Sequence, residues 1–167
     1  MTVVSDTSVL IHLARIDRFS LLHRVYSEII IPQEVWRETV EEGSERPGAP
    51  ETRSARDAGW IGVAAVESDT SVHRLLRQAL DDGKAAALAL ADQMEADLAL
   101  LDESAARRRA EGLGLRKTGT VGVILRAKRE GFIEAVRPEL DALRATSFWI
   151  ADSLYRRILE AADEQPE

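Results

Sequence analysis

The chain alternates short apolar runs with stretches in which apolar residues recur at helical spacing. Val3-Val4 forms a brief strand that halts at the polar Ser5-Asp6-Thr7-Ser8, after which Val9, Leu10, Leu13 and Ile16 fall on one helix face. Ile29-Ile30-Ile31, preceded by Glu28, is a second strand, and Pro32 suits the first turn of a helix carrying Val35, Trp36 and Val40. That helix fades at Glu41-Glu42-Gly43. Residues 43–54 hold the densest cluster of Gly, Pro and Ser and predict an exposed loop. Residues 60–66 read as a third strand, 72–80 as a helix, and the small residues from Gly83 to Ala91 as a helix packed closely on a sheet. Leu98-Ala99-Leu100-Leu101 is a fourth strand ending at Asp102, followed by a helix over 103–111. Leu115-Arg116-Lys117-Thr118 is a short fifth strand, and Gly119-Thr120 opens a helix reaching Arg129. Two further helices are expected near 138–144 and 152–162.

Strands that alternate with helices predict a mostly parallel sheet covered on both faces. The expected architecture is a three-layer α/β/α sandwich over residues 1–131, with a helical C-terminal extension over 132–167 packed on the same domain. At 167 residues, such a chain buries about 70% of its unfolded surface. The absence of cysteine excludes disulfides, zinc fingers, iron–sulfur clusters and thiol nucleophiles. No apolar run reaches the ~18 residues of a membrane span, and no signal-like N-terminus is visible, so a cytoplasmic protein without membrane contact is expected.

The net charge of −7 argues against nucleic-acid binding by bulk electrostatics. It is unevenly spread. Residues 28–70 carry ten acidic residues against four arginines, whereas residues 101–130 carry eight Lys/Arg against four Asp/Glu. The basic residues, Arg107, Arg108 and Arg116 among them, form either a solvated helix face or a phosphate-facing surface.

In open parallel sheets, ligands bind outside the carboxyl ends of the strands. Asp6 follows the first strand, Asp102 the fourth, and Glu38 lies in the helix after the second. Three carboxylates converging there would repel one another unless a hard cation sat between their oxygens, and Mg²⁺ or Mn²⁺ prefer such all-oxygen sites. Each residue also has a plainer explanation. Asp6 and Asp102 stand where aspartates cap helices, and Glu38 where a helix faces solvent.

The segment Val4-Ser5-Asp6-Thr7-Ser8-Val9-Leu10-Ile11 resembles the opening of a PIN domain, the metal-dependent ribonuclease fold of many toxins of toxin–antitoxin pairs. Ile31-Pro32-Gln33-Glu34-Val35-Trp36-Arg37-Glu38 resembles its second motif, and Leu100-Leu101-Asp102-Glu103 its strand-ending acidic motif. The segments 83–91, 106–114 and 119–128, with Phe148-Trp149-Ile150 and the closing helix, resemble a VapC-like prokaryotic branch with a helical C-terminal extension. The ordered set covers essentially the whole chain. The resemblance implies that Asp6, Glu38 and Asp102 bind Mg²⁺ or Mn²⁺ and hydrolyse single-stranded RNA, with an antitoxin protein as partner and a homodimer as assembly. Thr7 and Ser8 hydrogen-bond a carboxylate or close the turn, turn duty being expected. Arg107, Arg108 and Arg116 are candidates to guide phosphates. His12, His23 and His73 show no ligand-like pairing and are expected to be structural or exposed.

One departure stands out. The small-residue helix of that branch starts Gly-Glu, whereas this chain reads Asp81-Asp82-Gly83-Lys84. A cation in place of an anion weakens divalent binding. Three consequences stay open: Asp82 substitutes, three carboxylates hold a single ion, or Lys84 fills the metal's place in a catalytically silent module that binds RNA or a protein. A phosphatase of the haloacid-dehalogenase type is disfavoured, because it needs an aspartate where Ser8 stands. A receiver domain wants an acidic pair after its first strand, and Asp6 is alone.

Overall fold

A computed structural model describes residues 1–67 and 70–165. Asp69 of the acidic segment and Glu167 of the acidic end lie outside the described residues. Five strands, β1 (Val3–Ser5), β2 (Ile29–Pro32), β3 (Ile61–Ala64), β4 (Leu98–Leu100) and β5 (Lys117–Thr118), form one sheet in the order β3-β2-β1-β4-β5. Every pairing is parallel, with Val4 opposite Ile30 on one side of β1 and Ala99 on the other. The chain winds outward from β1 to β3, returns to β4 beside β1, and winds the other way to β5. The order therefore reverses between β1 and β4, which is where a parallel sheet opens a ligand crevice.

Alternation along the strands separates two cores. Val3, Ile29, Ile31 and Leu100 face α1 (Thr7–Arg15), α2 (Leu21–Tyr26) and α8 (Thr120–Arg129), joined by α9 (Arg137–Arg144) and α10 (Asp152–Ala161). Val4, Ala99 and Leu101 face α5 (Ser71–Ala79), α6 (Asp82–Gln93) and α7 (Ser104–Gly112). Burial of a leucine such as Leu10, Leu13 or Leu88 contributes about 1.5–3 kcal/mol. Residues 85–91 of α6 are all buried, because alanines let a helix lie close to the sheet. Ile133, Val136, Leu140, Leu143, Ile158 and Leu159 of the C-terminal segment share the first core with β1 and α1.

Two helices depart from the sequence reading. Part of the expected loop 43–54 belongs to α4 (Ala49–Ala58), whose buried Ala49, Thr52 and Ala55 face inward. Its proline-rich start is compatible with a helix because the first turn needs no intrahelical N–H bonds, and Glu51 Oε2 accepts from the Gly48 N–H at 2.9 Å. Helix α2 is only six residues long, too short for periodicity to mark it. The second-strand helix α3 (Gln33–Trp36) continues as a π-helical turn, Arg37–Glu41. Among the described residues, no helix is long and apolar enough to cross a membrane.

Candidate active site

Asp6 stands at the carboxyl end of β1 with no solvent exposure, and its N–H donates to the Leu100 carbonyl of β4 at 3.2 Å. Its Oδ1 accepts from the Val9 N–H at 3.2 Å, so the capping role expected of it is real. Its Oδ2 is buried without a hydrogen-bond partner. Burial pushes the Asp6 carboxyl up to about 7, against the pull of the Val9 N–H; the Asp102 charge raises it further and the Lys84 charge opposes. A buried polar atom left without a partner marks strain or a missing ligand.

Asp102 lies across the reversal point from Asp6. It was a candidate cap for the helix that follows it, but Glu103 occupies that position. Asp102 instead receives the start of α8: Thr120 N–H donates to Oδ1 at 2.7 Å and Thr120 Oγ1 to Oδ2 at 2.6 Å. His12 Nδ1 is 2.7 Å from the same Oδ2. Burial raises the Asp102 carboxyl, but the bonds from His12 and Thr120 outweigh it, and the group ends below the ordinary carboxylate range. An ionised Oδ2 is acceptor-only, so the proton on that ring nitrogen belongs to His12. Phe148 meets the imidazole edge to face at 4.8 Å and fixes its plane. From the sequence His12 is expected to be structural or exposed. Its place in the site depends on a partner ninety residues away, for which one sequence carries no signal.

Glu38 sits in the π-helical turn, a feature frequent at functional sites because it re-aims side chains. It is half-buried rather than solvent-facing. Thr7 Oγ1 donates to its Oε2 at 2.7 Å, so Thr7 holds a carboxylate in addition to following the turn, and Gly83 N–H donates to its Oε1 at 3.0 Å. Both acidic groups rest on glycine. A Cβ at Gly83 would fall 2.3 Å from Glu38 Oε2, and one at Gly119 would fall 2.5 Å from Asp102 Oδ1.

Lys84 is held by Asp81 Oδ2 at 2.7 Å and Glu103 Oε2 at 3.1 Å. Burial lowers its pKa, but these bonds raise it on balance, so it stays charged. Its ammonium therefore bridges the starts of α6 and α7 and leaves the buried Asp6 oxygen without a partner. Asp82 lines a separate cavity with Arg37 and Arg77. Arg107 and Arg108 are exposed on α7, and Arg116 precedes β5, toward the opposite edge of the sheet. Among the described residues, no three His, Cys, Asp or Glu side chains form a ready ligand set; Glu38 and Asp102 are each held by protein donors. The donor chemistry still suits a hard cation: three carboxylates share one edge, two on glycine seats and one with a buried free oxygen.

A parallel α/β sandwich with an acidic centre at its reversal point is the class that fold and site define together. The chain belongs to the PIN-domain family, whose model matches residues 2–164. This is a nuclease-type family that generally uses divalent metal ions. No curated protein shows significant similarity to the chain.

Proposed function

We propose that this chain is a Mg²⁺- or Mn²⁺-dependent endoribonuclease acting on single-stranded RNA, and the toxin of a type II toxin–antitoxin pair. The observation that carries the reading is the buried, unpartnered Oδ2 of Asp6 beside the ionised Asp102. Asp6, Asp102 and Glu38 would hold the ion. When bound, such an ion supplies Lewis-acid stabilisation of the charge developing on the scissile phosphate, together with activation of a water. His12 and Thr120 keep Asp102 ionised and oriented, and Thr7 and Gly83 keep Glu38 at the site. The fixed charge of Lys84 favours one ion over two. The exposed Trp149, 84% accessible, and Leu154 support a homodimer or an antitoxin contact through the C-terminal segment. Ile158 of the same helix belongs to the core.

The Lys84 ion pairs also support the second reading, a silent module that binds RNA or a protein without cleaving. Calorimetric Mn²⁺ titration of wild type and Asp6→Asn separates the two. Binding in wild type that is lost in the variant, with RNA cleavage abolished by chelation, supports the nuclease. No binding in either protein at millimolar metal overturns it.

A further inference from the structure

A cavity of about 390 Å³ opens between α3, α5 and the start of α6, lined by Gln33, Glu34, Arg37, His73, Arg77 and Asp82. Its volume lies within the about 300–1,000 Å³ of small-molecule sites. It neighbours the acidic site along the chain: Arg37 precedes Glu38, and Asp82 precedes Gly83, whose N–H holds Glu38. Arg37 is tethered by one loose ion pair to Glu42 at 3.7 Å, so its guanidinium is available for a better partner. His73 is 5% exposed, and its Nδ1 lacks a hydrogen-bond partner. A buried imidazole with an unsatisfied nitrogen in a cavity wall points to an absent ligand.

The lining is mixed in charge, and that decides what fits. Two carboxylates disfavour a bare phosphate, and two guanidiniums with an imidazole disfavour a cation. A nucleobase offers donors and acceptors on adjacent edges. Guanine alone presents N1–H and N2–H₂ together, which a carboxylate accepts, beside O6 and N7, which an arginine binds with two parallel hydrogen bonds. Single-stranded RNA exposes both edges to side chains. We propose that this cavity is a base-reading pocket that takes a guanine of the RNA strand, with Arg37 and Arg77 as donors and Glu34 and Asp82 as acceptors. The inference rests on the nuclease reading for its RNA but not for its test.

The test is calorimetric titration of the metal-free protein with each of the four ribonucleoside 5′-monophosphates. Guanosine monophosphate is expected to bind more tightly than the others by about 10–100-fold, the discrimination of one good two-bond pair. Arg77→Ala and the double variant Glu34→Gln/Asp82→Asn, all at surface-accessible positions, are expected to erase that preference. Equal binding of all four nucleotides, no binding at millimolar concentrations, or a preference untouched by either variant overturns the pocket. Mn²⁺ binding and RNA cleavage are measured separately. Cleavage without base preference sinks the pocket alone, and base preference without metal binding sinks the nuclease alone.

Discussion

The N–H of Gly83 and the carboxylate of Glu38 occupy a seat that no larger residue can share: the hydrogen bond is 3.0 Å, and a Cβ at position 83 would lie 2.3 Å from Oε2. In Gly83→Ala the flexible carboxylate end has to yield, while the helix backbone gains from the added methyl by about 0.5–1 kcal/mol. Thermal stability is expected to hold and Mn²⁺ affinity to fall by at least tenfold, about 1.4 kcal/mol. Calorimetry beside a melting curve checks both. Unchanged affinity would remove Glu38 from the proposed metal site.

The raised Asp6 carboxyl sets a pH dependence of definite sign. Between its ordinary value of 3.8 and about 7, the folded state holds a proton that the unfolded state has released. Stability therefore falls as pH rises through that window, by up to about 4 kcal/mol at 1.36 kcal/mol per unit. Asp102 acts in the opposite sense: its depressed value contributes stability that is lost as pH falls through the acid range. Urea denaturation of metal-free protein at pH 5 and pH 8 is expected to show wild type weakening and Asp6→Asn changing little. A parallel decline in both proteins would refute the assignment.

His12 and Thr120 converge on one oxygen of Asp102, so their contributions should couple. His12→Ala removes a hydrogen bond to a charged group and is expected to cost about 1.5–3 kcal/mol. Thr120→Val leaves the backbone N–H bond in place and should cost less. A double-mutant cycle in denaturant is expected to give a coupling of at least 0.5 kcal/mol, the lower end for residues in contact. Strict additivity would mean that the two do not act on the same charge.

Lys84→Glu puts an acidic residue beside Asp6 and breaks the pairs to Asp81 and Glu103. In the absence of metal the variant should melt lower than wild type, because the same edge then carries another uncompensated anion. Millimolar Mn²⁺ should restore it, with a larger rise in melting temperature than wild type shows. Equal shifts in the two proteins would show that Lys84 does not limit metal binding.

The strands and the places of Asp6 and Asp102 at their ends were legible because each leaves a local mark. Ile29-Ile30-Ile31 can hardly be anything but a buried strand, and Asp6 and Asp102 stop apolar runs where a parallel sheet places its ligands. Helix α4 was hidden by Pro47, Gly48 and Pro50, which read as turn residues and serve as a helix start. The supporting atoms were hidden for a different reason. His12 meets Asp102, Thr7 meets Glu38, and Gly83 seats Glu38 only after distant segments fold together, and no periodicity records such meetings. Position 84 announced a departure from the family pattern, but only the structure gives its partners, Asp81 and Glu103.

The strand order carries a consequence for how such a protein comes into being. β1 is flanked by β2, its early neighbour, and by β4, which follows almost seventy residues after β2 begins. Asp6 leaves the ribosome first, and Asp102 and Thr120 long after. A nascent chain that has completed β1 to β3 holds Asp6 and Glu38 but lacks Asp102 and Thr120. An activity that needs Asp102 beside Asp6 would then be withheld throughout most of its synthesis by chain order alone, and would arise only when the late strand slides in beside the first.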